Sequence, residues 1–257
     1  MLNLLQNIGS KTYQAFLMLI NFLINFCKTL TEGISPPFYL GNFLHQMIFI
    51  GFYSLPIIGM TALFSGAVMA LQSYTGFARF SAENSIPMVV ALSLTRELAP
   101  VLTGLMVTAR VGASIAAEIA TMRVTEQIDA LYTLSTSSIK FLITPRILAS
   151  FFCLPLLVIV ADVIGILGGY VVSVYKLGFN SANYINNTIK YLNASDVASG
   201  LVKALAFGLV ISFASCYFGY NAQKGARGVG VAATNAVVSS SVLILLSNYL
   251  ITEILFH

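Results

Sequence analysis

No lysine, arginine, aspartate or glutamate occurs between residues 33 and 78 of this sequence, and the only histidine in that stretch is His45. A helix that crosses the hydrocarbon core of a bilayer needs about 20 apolar residues, so this run is long enough to cross. Only 9% of the 257 residues are charged and 58% are hydrophobic, whereas soluble domains carry about 25% charged residues. The sequence therefore predicts an integral membrane protein of the all-α class, since helices satisfy their own backbone hydrogen bonds in lipid.

Five apolar segments divide the chain, and we expect each of them to be a membrane-spanning helix. Pro56 lies inside the first segment and is expected to kink it. The asparagine-rich stretch 180–195 is expected to be a polar loop between the third and fourth helices. The predicted spans cover about residues 46–78, 87–118, 147–175, 197–220 and 229–253.

The N-terminal residues 1–37 differ from the rest of the chain. Their apolar run, Phe16 to Phe26, is too short to cross a bilayer and is interrupted by asparagines. An amphipathic helix lying in the membrane interface fits this pattern better. We therefore predict an N-terminal interfacial segment over residues 1–37 and a transmembrane domain over residues 38–257.

Basic residues indicate the orientation of the chain, because cytoplasmic connections carry an excess of lysine and arginine. The segments that precede the first, third and fifth spans hold more lysine and arginine than the connections at the opposite side of the membrane do. This bias predicts a cytoplasmic N-terminus, a periplasmic C-terminus and a cytoplasmic connection between the second and third spans. The basic residues on the predicted cytoplasmic side are Lys11, Lys28, Arg123, Lys140, Arg146, Lys224 and Arg227.

Motifs for catalysis and for nucleotide binding are absent from the sequence. There is no G-x-x-x-x-G-K-[ST] loop for a triphosphate, and two histidines, His45 and His257, cannot form an H-E-x-x-H metal site. Cys27, Cys153 and Cys216 lie far apart in apolar surroundings and are expected to be buried thiols. The sequence has no stripe of basic residues that would indicate binding of nucleic acid. We predict a non-catalytic membrane protein without a cofactor or metal of its own.

Charged residues inside the second span are the strongest indication of a functional site. Arg96 and Glu97 are adjacent, so they point about 100° apart and do not neutralise each other. At 100° per residue, four further polar residues fall within about 40° of Arg96 on the helix. This spacing predicts one polar stripe that faces the interior of a bundle. The stripe is either a functional site or a structural polar network, and the spacing does not decide between them. The stripe consists of Arg96, Thr103, Arg110, Ser114 and Glu118.

Two features of the third span are expected to serve packing. Gly165 and Gly169 form a G-x-x-x-G pair that permits close approach of another helix. Asp162 is a second acidic residue inside the membrane, and pairing with one of the arginines is favoured over a role in proton coupling.

A short amphipathic helix is predicted in the connection after the second span. Thr125 is expected to cap it, with Ile128, Leu131 and Tyr132 on one side and Glu126 and Asp129 elsewhere. Such a helix either closes the end of the bundle or docks into a groove of a cytoplasmic partner.

The run VALSLTRELAPVLTGLMVTARVGASIAAEIATMRVTEQIDAL, residues 90–131, resembles the signature region of the MlaE (YrbE) family. These proteins are permease subunits of the Mla-type ABC transporters, which maintain the lipid asymmetry of the outer membrane. The similarity extends to SLPI at 54–57, ALQSY at 70–74, LPLL at 154–157 and GVGVAATNAVV at 228–238.

The resemblance implies a function and a set of partners. Family members are homodimers in the bacterial inner membrane, pair with a cytoplasmic ABC ATPase that binds ATP and Mg, and meet a periplasmic MCE-domain protein. They move phospholipid between the inner membrane and periplasmic carriers.

The resemblance also implies roles for individual residues. The lipid would lie between protomers near Arg96, Glu97, Tyr74 and Phe80, with Arg96 the better partner for a phosphate, since a guanidinium binds it through two hydrogen bonds. The ATPase would receive a coupling helix formed by Thr125, Glu126, Gln127, Ile128, Asp129 and Leu131.

Two departures from the family pattern stand in the sequence. Asn235 replaces an arginine that is common in the fifth span, and residues 135–138 read STSS where Val-Asp-Pro is common. Two other function classes remain open from the residues alone. One is an ion- or proton-coupled secondary transporter using Asp162 and Glu97, and the other is a membrane scaffold that does not transport.

Overall fold

The computed structural model describes residues 39–80 and 85–256, together with Thr29. These residues are mostly helical, and no strand occurs among them. Five helices are long and apolar enough to cross a membrane, which confirms the predicted all-α integral membrane protein. The predicted interfacial helix within residues 1–37 lies outside the described residues, apart from Thr29. The spans are span 1, Leu40–Phe77; span 2, Ile86–Val124; span 3, Ile139–Tyr175; span 4, Ala194–Tyr220; and span 5, Ala226–Leu255.

Spans 1 and 3 begin several residues before their predicted starts at 46 and 147. The prediction began span 1 at Gln46, after Asn42 and His45, and began span 3 after Arg146. In the structure these four residues line a cavity between spans 1, 2 and 3. Polar residues therefore extend the helices here because neighbouring spans shelter them from lipid.

Span 1 is broken near Pro56, as predicted. Its first helix, Leu40–Ile50, ends at Gly51, and a 3-10 turn, Phe52–Ser54, leads into the helix Leu55–Phe77. Pro56 lies in the first turn of that second helix, where its missing N–H costs no hydrogen bond. A continuous helix would bring its ring against the carbonyl group of Phe52, so the break falls one turn earlier.

Span 2 is continuous but irregular. Its α-helical parts, Ile86–Ser93, Ala99–Val107 and Ala113–Val124, are separated by two π-helical turns, Leu94–Leu98 and Thr108–Gly112. Each π turn holds one more residue than an α-helical turn, so the residues after it are rotated relative to a regular helix. Span 3 also begins with a π turn, Ile139–Ile143.

Spans 2, 3 and 4 form the centre of the bundle. In the most apolar 18 residues of these spans, the buried share is 50%, 50% and 56%, whereas it is 22% in spans 1 and 5. Spans 1 and 3 pack backbone to backbone, since a Cβ added at Gly66 would overlap the carbonyl oxygen of Gly165. The predicted close approach at Gly165 is confirmed.

Two short helices connect the spans at opposite ends of the bundle. The span 2–3 helix, Gln127–Thr133, was predicted, whereas the span 3–4 helix, Ser181–Tyr191, replaces the polar loop expected over 180–195. Asn180 caps the span 3–4 helix by accepting a hydrogen bond from the Asn183 N–H. Buried Tyr184 holds that helix against Tyr170 of span 3. We name the ends of the bundle the 2–3 end and the 3–4 end after these helices.

Candidate functional site

Arg96 is bound to the first turn of span 4. Its Nε donates to Asp196 Oδ1 over 2.8 Å, and its Nη2 approaches the same oxygen. The second carboxylate oxygen of Asp196 accepts from the backbone N–H of Asn193, in a capping box at the start of span 4. Asp196 thus both begins span 4 and fixes the guanidinium of span 2.

Glu97 joins spans 4 and 5. Its Oε1 accepts from Lys203 Nζ over 2.6 Å and from the Thr252 hydroxyl over 3.0 Å, and its Oε2 accepts from Asn248 Nδ2 over 2.9 Å. Lys203 is fully buried, with 0% of its side chain exposed. We call Arg96, Glu97, Asp196 and Lys203 the charge cluster. The expectation that Arg96 and Glu97 do not neutralise each other is confirmed, because each has its own partner on span 4.

A missing hydrogen bond in span 2 explains how Lys203 is accommodated. Pro100 has no N–H to donate to the carbonyl oxygen of Arg96, four residues earlier. Lys203 Nζ donates to that oxygen over 2.8 Å, in addition to Glu97. The π turn Leu94–Leu98 carries both charged residues of span 2, and such turns are frequent at functional sites. Proline and π turn together open the backbone where the cluster forms.

The single polar stripe predicted along span 2 is wrong. Arg96 contacts span 4, whereas Arg110 donates to Phe49 O and Ser54 Oγ of span 1, and Glu118 pairs with Arg146 of span 3 over 2.9 Å. Thr103 is buried and Ser114 is half-buried. The prediction assumed 100° for every residue, and the two π turns break that regularity. The charged residues of span 2 therefore tie it to three different spans.

Arg110 stabilises the break in span 1. The 3-10 turn leaves carbonyl groups near Phe49 without their regular helical donors, and Arg110 Nη1 donates to Phe49 O over 3.3 Å. Its guanidinium also lies over the rings of Phe49 and Tyr53. This residue of the predicted stripe has a structural partner on span 1.

Asp162 does not form the predicted pair with an arginine. The residue is 6% exposed and its Oδ1 has no hydrogen-bond partner in the part of the chain that the structure describes. Arg96 and Arg110, the arginines of span 2, bind Asp196 and Ser54 instead. Cys153 and Cys216 are buried free thiols, as expected, whereas Cys27 lies outside the described residues.

The aromatic residues predicted near the lipid lie at the 3–4 end. The Tyr74 ring packs edge to face on Phe179, with centroids 6.2 Å apart, and borders a small apolar cluster that includes Leu94. Phe80 ends the 3-10 turn Ala78–Phe80, and its side chain lies outside the described part of the structure. Tyr74 is therefore near the end of the bundle at which the charge cluster lies.

The span 2–3 helix has one side on the bundle and one side free. Ile128 is fully buried and Leu131 is half-buried, whereas Glu126, Gln127 and Asp129 are exposed. Asp129 accepts from Arg123 over 2.7 Å. The exposed residues leave a polar surface at the 2–3 end.

The predicted cap of this helix is wrong. The Thr125 hydroxyl donates to Thr121 O of span 2, and Glu126 precedes the helix with a φ of 61° and no capping hydrogen bond from its side chain. Thr125 therefore completes span 2, and its hydroxyl accepts from the side chain of Gln127 over 3.0 Å instead of from a backbone N–H of the next helix.

Sequence reasoning did not single out the partners of Arg96 and Glu97. Asp196 and Lys203 are seven residues apart, which is two helical turns, so they lie on one face of span 4. That spacing was visible in the sequence and is the signal that could have identified both. Asn248 and Thr252, four residues apart on span 5, show the same pattern without charge.

The fold and the charge cluster define a class, namely a multi-pass helical membrane protein whose spans are joined by sheltered ion pairs. Comparison with known sequences narrows the class to a family. The profile of the permease MlaE matches residues 43–254, and the chain belongs to the MlaE permease family.

Relatives from bacteria and plants agree with this assignment. A probable ABC transporter permease protein of Rickettsia bellii is 60% identical over 256 residues, 100% of this chain and 99% of the relative. A probable ABC transporter permease protein of Synechocystis is 41% identical over 84% of this chain and 82% of its own length. The Arabidopsis thaliana protein TRIGALACTOSYLDIACYLGLYCEROL 1, chloroplastic, is 35% identical over 90% of this chain and 70% of its own length. The chain is a transporter permease.

Proposed function

We propose that this chain is the membrane subunit of an ATP-driven phospholipid transporter. It moves lipid between the inner membrane and periplasmic carriers and so maintains the lipid asymmetry of the outer membrane. The permease family supports an ABC-type transporter over a secondary transporter or a scaffold. The name of the Arabidopsis relative refers to a glycerolipid, which supports a lipid as the class of substrate.

The observation that carries the proposal is the partial exposure of two charges inside a membrane span. Arg96 and Glu97 keep 37% and 39% of their side chains exposed, although both are ion-paired. Charged side chains within a span are costly when they face lipid tails. A phospholipid avoids this cost when its polar headgroup contacts the two charged side chains and its acyl chains lie on apolar surface.

The two residues have different roles in this proposal. Arg96 binds the phosphate of the headgroup, because 37% of its side chain is exposed and a planar guanidinium matches a phosphate through two parallel hydrogen bonds. Glu97 repels a phosphate and instead holds spans 2, 4 and 5 together through Lys203, Asn248 and Thr252. Tyr74 and Phe80 lie near the path of the acyl chains. Asn235 is exposed on span 5 and offers an amide where an arginine is common.

Energy comes from a partner ATPase, which binds ATP and Mg. Its docking surface is the exposed side of the span 2–3 helix, with Glu126, Gln127 and Asp129. In this proposal the 2–3 end faces the cytoplasm and the 3–4 end faces the periplasm, where an MCE-domain protein binds. The lipid lies between two copies of the chain, and spans 1 and 5 supply the contact, since they are the least buried within one copy.

Co-purification tests this proposal. The tagged chain is extracted from its native membrane in mild detergent, and the bound proteins and lipids are identified by mass spectrometry. We expect an ABC ATPase, an MCE-domain protein and stoichiometric phospholipid. Recovery of the chain with none of the three, from a preparation that remains folded, contradicts the proposal.

A further inference from the structure

Arg110 lies inside span 2 and has no ion-pair partner in the part of the chain that the structure describes. The ion pairs described there belong to Arg96, Arg123, Arg146 and Lys203. Ionised side chains within a membrane span usually pair with another charge or mark the path of a ligand. The charge of Arg110 is therefore left for an anion that is not part of this fold.

The guanidinium of Arg110 is hydrogen-bonded at one nitrogen. Its Nη1 donates to Ser54 Oγ over 2.8 Å and to Phe49 O over 3.3 Å. Its Nε and Nη2 donate to no group among the described residues, and neither atom is fully buried. These two nitrogens form one edge of the guanidinium, and such an edge binds a phosphate through two parallel hydrogen bonds.

Two aromatic rings hold this guanidinium in place. Its Cζ lies 5.4 Å from the centroid of the Phe49 ring and 6.0 Å from that of the Tyr53 ring. At about 6 Å or less, a cation is attracted to the face of a ring. Arg110 is half-buried between these contacts, so its unbonded edge is ordered before a ligand arrives, which lowers the entropic cost of binding.

Arg110 repeats the backbone position of Arg96. Arg96 is the third residue of the π turn Leu94–Leu98, and Arg110 is the third residue of the π turn Thr108–Gly112. The two arginines are 14 residues apart, which is about 21 Å along the helix, and Arg110 is nearer the 2–3 end. They differ in charge balance, because Arg96 is paired with Asp196.

The depth of the site matches that of lipid phosphates. Span 1 has 38 residues, which is about 57 Å of helix. The hydrocarbon core is about 30 Å thick, so a centred span extends about 14 Å beyond the core at each end. Phe49 lies nine residues, or about 14 Å, from the start of the span at Leu40. The contact of Arg110 with Phe49 therefore lies close to the headgroups of the leaflet at the 2–3 end.

The charge of the site restricts its ligand. A headgroup whose net charge is negative neutralises the guanidinium. A zwitterionic headgroup brings an ammonium group as well, and none of the described acidic side chains lies within ion-pairing distance of Arg110 to receive it. A sheltered charge without a counter-charge is unfavourable, so the anionic headgroup binds more tightly.

We propose that Arg110 binds the phosphate of an anionic phospholipid from the leaflet at the 2–3 end. The phosphate accepts from Nε–H and Nη2–H, and the acyl chains lie along the exposed side chains of Phe52, Tyr53 and Ile57 on span 1. The inference rests on the proposed function in taking a phospholipid as the ligand. It adds a second phosphate site to span 2 and a preference for one class of headgroup.

Native mass spectrometry of the purified chain in detergent tests the site. Dioleoyl phosphatidylglycerol and dioleoyl phosphatidylethanolamine are titrated separately onto wild type, Arg110→Gln and Arg227→Gln. Arg110→Gln removes the charge and the unbonded edge but keeps an amide donor for span 1. Arg227→Gln makes the same substitution at an exposed arginine of the same end of the bundle, so it is the matched control.

Wild type and Arg227→Gln are expected to bind phosphatidylglycerol at least about tenfold more tightly than phosphatidylethanolamine, since a charge-assisted bidentate contact decides the difference. Arg110→Gln is expected to lose that preference. Equal binding of both lipids by wild type, an unchanged preference in Arg110→Gln, or an equal loss in Arg227→Gln overturns the proposal. Equal saturation by soluble glycerophosphoglycerol, without gain from acyl chains, overturns the assignment to a lipid.

A measurement on wild type alone keeps the test valid even where Arg110→Gln fails to fold. Phosphatidylglycerol with a photoreactive diazirine in its acyl chain is crosslinked to the chain, and the labelled residues are identified by mass spectrometry of peptides. We expect label within residues 52–57 that excess phosphatidylglycerol displaces and equal phosphatidylethanolamine does not. Absence of label there, or equal displacement by both lipids, overturns the proposal.

The two proposals fail separately. If the complex does not transfer lipid but the Arg110-dependent preference persists, the transport function falls and the Arg110 site stands. If transfer proceeds and Arg110→Gln binds both lipids as wild type does, only the Arg110 site falls.

Discussion

Lys203 is a fully buried cation inside a membrane protein, and its partners decide whether it is tolerated. It donates to Glu97 and to the carbonyl group that Pro100 leaves unbonded. Such a pair contributes little against an apolar replacement, because desolvation offsets the attraction, but loss of one partner alone is costly. The pair therefore fixes how spans 2 and 4 meet more than it adds to the total stability.

Glu97→Gln is expected to lower the free energy of unfolding by about 3–5 kcal/mol, because it leaves the ammonium group of Lys203 without a counter-charge. Glu97→Gln combined with Lys203→Met removes both charges and is expected to recover most of that loss. Equilibrium unfolding in mixed detergent micelles measures the three free energies.

An exposed ion pair serves as the control for these variants of Glu97 and Lys203. Asp129→Asn breaks the contact with Arg123, in which both side chains are at least 39% exposed, and is expected to cost at most about 1 kcal/mol. A double variant as unstable as Glu97→Gln alone would show that the cluster does not act as a pair.

The contact between spans 1 and 3 depends on glycine. Gly66 lies against the backbone of Gly165, and Gly168 lies against the backbone of Leu63, so added Cβ atoms would meet backbone, which cannot move aside as a flexible side chain can. Close backbone approach replaces the hydrophobic driving force that helices lack in lipid. These glycines therefore set the distance between the two spans.

Gly66→Ala is expected to lower the free energy of unfolding by about 1–3 kcal/mol, since it overpacks this contact. Gly76→Ala, on the same span with nothing within 4 Å of the added Cβ, is expected to leave stability unchanged or to raise it by up to about 1 kcal/mol. Thermal melting in detergent compares the two. Equal melting temperatures would show that the spans separate without cost.

The span 2–3 helix is attached to the bundle through Ile128 and presents acidic side chains outward. Glu126→Lys with Asp129→Lys is expected to weaken binding of the ATPase at least about tenfold, because the two substitutions reverse the charge of the proposed docking surface and association depends on electrostatic complementarity. Arg123→Gln is the control, since it breaks the same ion pair without reversing the surface. Unchanged ATPase recovery with the double variant would place the docking surface elsewhere.

The bundle as a whole was predictable from the sequence, because five apolar segments and their basic connections follow from the cost of burying charge in lipid. The phase of span 2 was not predictable, since the π turns Leu94–Leu98 and Thr108–Gly112 depend on contacts with other spans. Arg96 and Glu97 were found as adjacent charges in an apolar run. Lys203 was not identified as their partner, because one sequence does not state which helices touch.

Transfer of labelled phospholipid out of proteoliposomes tests whether Arg96 binds the headgroup during ATP-driven transport. The complex of the chain with its ATPase is reconstituted with wild type, Arg96→Lys or Arg123→Lys. Lysine keeps the pair with Asp196 but loses the planar fork that binds a phosphate through two hydrogen bonds. We expect ATP-dependent transfer by wild type and Arg123→Lys, and at least about a tenfold loss with Arg96→Lys. Transfer by Arg96→Lys at the wild-type rate would contradict the headgroup role of Arg96, and no ATP-dependent transfer by wild type would contradict the proposed function.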